Sequence, residues 1–131
     1  AGVPMDQQPV DSVFPAMAQA IIASDDTIEE RPEVVQGFVD AVLRAVRDIS
    51  DDPASAAAQY VALVPQHSEN LAGIEAVMRA YAELIYPEGE NQPLGAFDPE
   101  RIKAVQDFYV EAGIVRNAVP VEELYTNEFI K

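Results

Sequence analysis

The stretch Arg31 to Pro53, RPEVVQGFVDAVLRAVRDISDDP, dictates a long amphipathic helix with a marked start and a marked stop. Pro32 suits the first turn, where its missing N–H is no loss and its fixed φ is already helical. Val35, Phe38, Val39, Val42, Val46 and Ile49 recur at i, i+3, i+4, i+7 and predict one apolar stripe. Gln36, Asp40, Arg44, Arg47 and Asp48 fall on the other side. Asp52 then reads as an N-cap and Pro53 as the first residue of a following helix. Taken alone, this pattern is an ordinary core helix.

The remaining segments fit around it. Residues 1–12 carry Gly2, Pro4 and Pro9 and read as loop, with at most a short extended piece around Gln8 to Val10. Phe14 precedes Pro15 and is biased towards extended backbone. Met17 to Ala23 is a short apolar run that fits either a buried strand or a helix start. Ser24-Asp25-Asp26 has turn chemistry, with Asp26 or Thr27 expected to cap a helical turn through Ile28 to Arg31. A lone strand here lacks a sheet partner for its backbone groups.

Beyond the long helix, Ala54 to Val64 predicts a short Ala-rich helix closed by Pro65. Gln66 to Asn70 is expected as a loop with Ser68 as N-cap. A second long helix follows over Glu69 to Tyr86, with Leu71, Ile74, Met78, Tyr81 and Ile85 as its stripe, widened by Val77 and Leu84. Glu88 to Gly95 is the longest polar, Gly/Pro-rich loop. Asp98-Pro99 gives the sharpest helix start, with Phe97 and Ile102 at the positions of a hydrophobic staple. Ile102, Val105, Phe108, Tyr109 and Ala112 make its expected inner face, and Gly113 is a natural C′ glycine. Pro120 opens a short last helix, Val121 to Tyr125, before an apolar tail at Phe129 and Ile130.

Composition excludes several functions. A net charge of −15 with eight Lys plus Arg repels nucleic acid and anionic lipid. The chain has no cysteine, which removes disulfides, thiolate ligands and cysteine nucleophiles. No apolar run approaches the roughly 18 residues that span a bilayer, and no segment has the pattern of a signal peptide. At 131 residues, one domain with a single core is expected.

No constellation of chemistry-bearing residues emerges. His67 is the sole histidine, so a two-histidine metal site within the chain is excluded. A Ser-His-Asp arrangement has no nucleophile-elbow glycines to support it. Asp48, Ser50 and Asp52 have the alternation of a calcium loop, but Pro53 stands where the sixth-position glycine belongs and Gln59 where the terminal glutamate belongs. Glu29-Glu30 and Glu122-Glu123 are sequence neighbours and point apart on a helix. The five tyrosines sit mostly at core-facing or helix-end positions, where packing is the expected role. No catalytic residue, metal or cofactor is expected.

Several stretches together resemble the C-terminal portion of a solute-binding protein of the NMT1/THI5-like family, whose members include ABC-transporter components for nitrate, sulfonates and thiamine-pyrimidine precursors. The resemblance is carried by Ala20 to Asp40, AIIASDDTIEERPEVVQGFVD, by Ala41 to Ala45, and by Asp52 to Ala57, DPASAA. It continues in Phe108 to Val115, FYVEAGIV, and Val121 to Phe129, VEELYTNEF. It implies a two-lobed α/β fold of the periplasmic-binding-protein kind, of which this chain would be a fragment or truncated form. Ala16 to Ala23 would be a strand returning to the first lobe after a hinge crossing.

On that basis the chain is expected to be mainly α, with four or five helices plus one or two short N-terminal strands. Residues 1–27 would form an extended hinge segment and residues 28–131 the helical C-terminal part of a lobe. Phe14, Pro15 and Met17, near the crossing, are the candidates for lining a ligand cleft. The implied function is periplasmic or extracytoplasmic capture of a small solute for an ABC permease. Two alternatives stand beside it: a stand-alone helical module that self-associates through the N-terminal strand, and an enzyme of the thiamine-pyrimidine synthase branch, for which only His67 is available.

Overall fold

A computed structural model describes residues 6, 14, 19–86 and 92–131. The chain divides into two compact units. One comprises Ala1–Ile22 and Phe97–Asn127, the other Ala23–Ala96 and Glu128–Lys131.

The second unit holds four helices: α1 (Asp25–Glu30), α2 (Pro32–Asp51), α3 (Pro53–Leu63) and α4 (Leu71–Leu84). Helix α2 has the expected limits, with Pro32 in its first turn. Asp52 caps α3 through an Oδ1 that accepts the Ser55 N–H at 3.0 Å. Helix α1 begins earlier than expected. Its cap is Ser24, whose Oγ accepts the Thr27 N–H at 3.3 Å, so Asp25 and Asp26 sit in the first turn, where the helix dipole favours them.

Between α3 and α4, Pro65–Asn70 winds as a 3₁₀ turn rather than a loop. Ser68 does not cap α4; its hydroxyl donates back to the Pro65 carbonyl at 2.8 Å. Helices α3 and α4 pack on each other most extensively, and each also packs on α2, while α1 packs on α2. Ala57, with no side chain beyond Cβ, is completely buried in α3.

The inward face of α2 keeps the expected Val35, Val39, Val42, Val46 and Ile49, but loses Phe38 and gains Leu43. Val39 and Leu43 are buried, each 7% exposed, whereas Phe38 is 58% exposed. Leu43 lies i+4 from Val39 and completes a ridge that Phe38 would have had to share from the neighbouring side. The partner of that ridge is the C-terminal tail. Phe129 is buried against Val39 and Leu43, with Ile28, Val35, Leu94 and Ile130 packed around them. Gln36 and Asp40, expected on the solvent side, are half-buried because they hold the tail. Gln36 Nε2 donates to the Phe129 carbonyl at 3.0 Å and to Asp40 Oδ1 at 2.8 Å.

Gly95 completes this cluster. Its φ is +83°, and a Cβ there would stand 2.6 Å from Leu43 Cδ2. Only glycine satisfies both the backbone and the space.

In the other unit, α5 (Pro99–Glu111) starts as expected. Asp98 Oδ1 accepts the Glu100 N–H at 2.8 Å and the Arg101 N–H at 3.4 Å. Ile102 is buried, whereas Phe108 and Tyr109 are more than a third exposed, so the inner face is narrower than the expected one. The helix ends in a Schellman motif: Gly113 has φ +70°, its N–H reaches the Val110 carbonyl at 3.0 Å, and the Ile114 N–H reaches Tyr109 at 2.9 Å. Val121–Glu123 is a single 3₁₀ turn in place of the expected short helix.

The N-terminal strand is not formed where it can be judged. Residues 19–23 are irregular and exposed, with Ile22 93% exposed. A strand needs a neighbour to receive its N–H and C=O groups, and among the described residues there is no strand, only an isolated bridge residue at Gln92. Residues 19–23 therefore offer no formed edge for pairing with a second copy. Residues 16–18 and the extended piece expected at Gln8 to Val10 lie outside the described residues.

The two phenylalanines separate the expected core from the observed one. Phe129→Ala is expected to cost about 3 kcal/mol, the lower end for deleting a buried phenylalanine. Phe38→Ala should stay within about 0.5 kcal/mol, as for an exposed substitution. Chemical denaturation of the two variants checks this, and the reverse order would return Phe38 to the core.

Candidate functional site

Of the three residues expected near a cleft, Phe14 can be placed. It is half-buried, and its ring centroid lies 4.9 Å from that of Phe108 on α5, with the planes tilted by 51°. That is a packed aromatic pair. Pro15 and Met17 lie outside the described residues.

A second aromatic pair marks an apolar cleft of about 180 Å³ at the C-terminal end of α4. Its lining is Ile49 of α2 with Val77, Met78, Tyr81 and Tyr86. The local sequence explains the shape. Pro87 cannot continue the helix and biases Tyr86 away from the α region. The last turn loosens, and the Tyr81 carbonyl accepts the N–H of both Ile85 and Tyr86 at 2.9 Å. Tyr86 thereby folds back on Tyr81, with ring centroids 5.6 Å apart. Desolvation by burial pushes the Tyr86 phenol above its ordinary value of 10.0, and the neighbouring Tyr81 adds to the rise. This corner can hold a ring-sized apolar group but is smaller than the roughly 300–1,000 Å³ of a drug-sized pocket. Tyr81 and Tyr86 pack as expected, and the cleft that their pairing leaves is the addition. Two tyrosines five residues apart, the second directly before proline, are the signal that could have found it.

A wider groove of about 410 Å³ runs along α4 past Ala72, Glu75, Ala76, Arg79, Ala80 and Glu83. Its one cation is engaged, Arg79 Nη2 lying 2.7 Å from Glu75 Oε1. Both partners are more than a third exposed, so the pair contributes only about 0.3–0.5 kcal/mol.

His67 is exposed, as expected, and pairs with Tyr60: the hydroxyl and Nδ1 are 2.9 Å apart. That contact ties the 3₁₀ turn to α3. Among the described residues, no group of three or more His, Cys, Asp or Glu side chains could hold a metal ion. No helix among them is long and apolar enough to cross a membrane.

Comparison with known proteins supplies what the geometry does not. Residues 5–56 match the family model described as NMT1/THI5 like. That stretch contains Phe14, Pro15 and Met17, all of α1 and α2, and the start of α3. The chain is also 28% identical over 123 residues to the riboflavin-binding protein RibY of Chloroflexus aurantiacus. The similarity covers 90% of this chain and 34% of that relative, so the chain spans about a third of the relative's length. No solved structure matches the chain. The family match at residues 5–56 agrees with the resemblance read from Ala20 to Ala45 and from Asp52 to Ala56.

The Tyr86 shift has a testable sign. The folded protein keeps this proton at a pH where the unfolded phenol has lost it, so the stability associated with it is intact below pH 10.0 and falls as pH rises past that value. In a tyrosinate absorbance titration, Tyr86→Phe is expected to remove a component that titrates above pH 10.0. Loss of a component at or below pH 10.0 instead would show that the phenol is not desolvated.

Proposed function

We propose that this chain is part of an extracytoplasmic solute-binding protein of the ABC-transporter type, which captures a small solute non-covalently and passes it to a membrane permease. The observation that carries this reading is the similarity to RibY across 90% of the chain. The independent family match at residues 5–56 supports it. In this reading the complete protein has two α/β lobes, residues 1–27 belong to a crossing between them, and residues 28–131 belong to one lobe. Phe14, Pro15 and Met17 are the residues assigned to the cleft side of that crossing.

Capture rather than catalysis is favoured because the relative is a binding protein. The enzyme branch of the family offers a weaker account: His67, its single histidine, is spent on a surface contact with Tyr60. The first solute to try is a flavin, because RibY is a riboflavin-binding protein. Lobe closure on such a ligand would supply the conformational change that a permease recognises.

The test is a riboflavin titration of the native gene product, followed by flavin fluorescence and by thermal unfolding. Saturable quenching is expected, with stabilisation of about 2.7 kcal/mol when free ligand stands near 100 times its Kd. Stabilisation by nitrate, a sulfonate or a thiamine-pyrimidine precursor, without riboflavin quenching, would keep the class and change the solute. Absence of any response to all four would overturn the solute-binding reading.

A further inference from the structure

The segment Phe97–Asn127 leaves the polypeptide of the helical unit after Ala96 and rejoins it at Glu128, and its own first and last residues are bonded to each other. Chain membership changes at Ala96/Phe97 and again at Asn127/Glu128. At that point Asn127 Oδ1 accepts the Phe97 N–H at 2.8 Å, and Asn127 Nδ2 donates to the Phe97 carbonyl at 2.9 Å. One carboxamide thus satisfies both peptide groups of Phe97, as a paired strand would. The reverse orientation of the amide would set two donors and two acceptors against each other, so its direction is determined. Phe97 also stacks on Tyr125, with ring centroids 5.5 Å apart.

The same device recurs deeper in the segment. Gln106 Oε1 accepts the Val119 N–H at 2.8 Å, and Gln106 Nε2 donates to the Val119 carbonyl at 3.0 Å. It ties the irregular 113–120 connection to the middle of α5. The segment therefore carries its own cross-links. Immediately beyond the clasp, Glu128–Lys131 belongs to the helical unit, where Phe129 is buried against Val39 and Leu43 and held by Gln36.

We propose that Asn127 is a clasp that closes Phe97–Asn127 into one cooperatively opening segment, able to open while the core around Phe129 stays folded. The clasp adds two hydrogen bonds that must break before the segment can open from its ends, so losing them lowers the free energy of that opening. Units of this kind are the ones that open below the global unfolding free energy. The anchor and the clasp are adjacent in sequence but use separate bonds, so one can release without the other.

Native-state hydrogen exchange, resolved by peptide mass on the whole chain, tests this. In Asn127→Ala, amides across α5 should exchange roughly tenfold faster, as expected for losing two partly buried hydrogen bonds, while α2 amides from Val39 to Asp48 keep their rates. Asn127→Asp, which still accepts from the Phe97 N–H but cannot donate to its carbonyl when ionised, should give a smaller change in the same direction, and it serves if the alanine variant fails to fold. Equal acceleration of α2 and α5 would overturn the proposal, because the chain would then open as one unit. Unchanged α5 exchange in both variants would overturn it as well, because the clasp would hold nothing.

Discussion

The seating of Phe129 on Val39 and Leu43 is the contact on which the helical unit depends. It joins the end of the chain to the middle of its longest helix, and it explains three features that otherwise look unrelated. Gln36 and Asp40 are half-buried in α2 because one of them holds the Phe129 carbonyl and the other holds the first in place. Gly95 must be glycine because Leu43, pressed towards the tail, leaves no room for a Cβ. Phe38 is left in solvent because the ridge that receives the tail runs through Val39 and Leu43 instead. A core this small makes each such contact weigh heavily, since net stability is a small remainder of large opposing terms.

Carboxamides do in this chain what sheet pairing does elsewhere. Among the described residues no strand is present, yet several non-helical backbone groups are satisfied in pairs. Asn127 serves both groups of Phe97, Gln106 both groups of Val119, and Gln92 donates to the Ala96 carbonyl at 2.7 Å. Each amide carries donor and acceptor at a spacing that matches a peptide group. This ties an irregular segment such as 113–120 to a helix through both peptide groups of Val119, at the cost of fixing one side chain per connection.

Local signals were legible and long-range ones were not. Asp52-Pro53, Asp98-Pro99 and Gly113 each act through neighbours within four residues, so cap and stop chemistry identified them from sequence. Most of the α2 stripe was legible; the exchange of Phe38 for Leu43 was not, because both fit a helical period and only the arrival of residue 129 decides between them. Ser68 was misassigned because a hydroxyl three residues from Pro65 can return to that carbonyl, a competition that favours a turn over a cap. The apolar run at Met17 to Ala23 left strand and helix undecided, and its described part, 19–23, adopts neither. Periodicity reports a face, not its partner.

The functional reading and the visible cleft are supported by different parts of the molecule, and the difference has physical content. The family match at residues 5–56 covers α2, whose inner residues pack the tail and which lends Ile49 to the cleft. The Tyr81–Tyr86 corner lies outside that match and, at about 180 Å³, is too small to enclose a drug-sized solute. It is therefore a poor candidate for the solute pocket, whatever its chemistry. On the proposed two-lobed reading the solute is gripped between lobes rather than within a helical bundle, so the bundle need hold none of the contacts. On that reading α2 is scaffold: its inner face seats Phe129 through Val39 and Leu43.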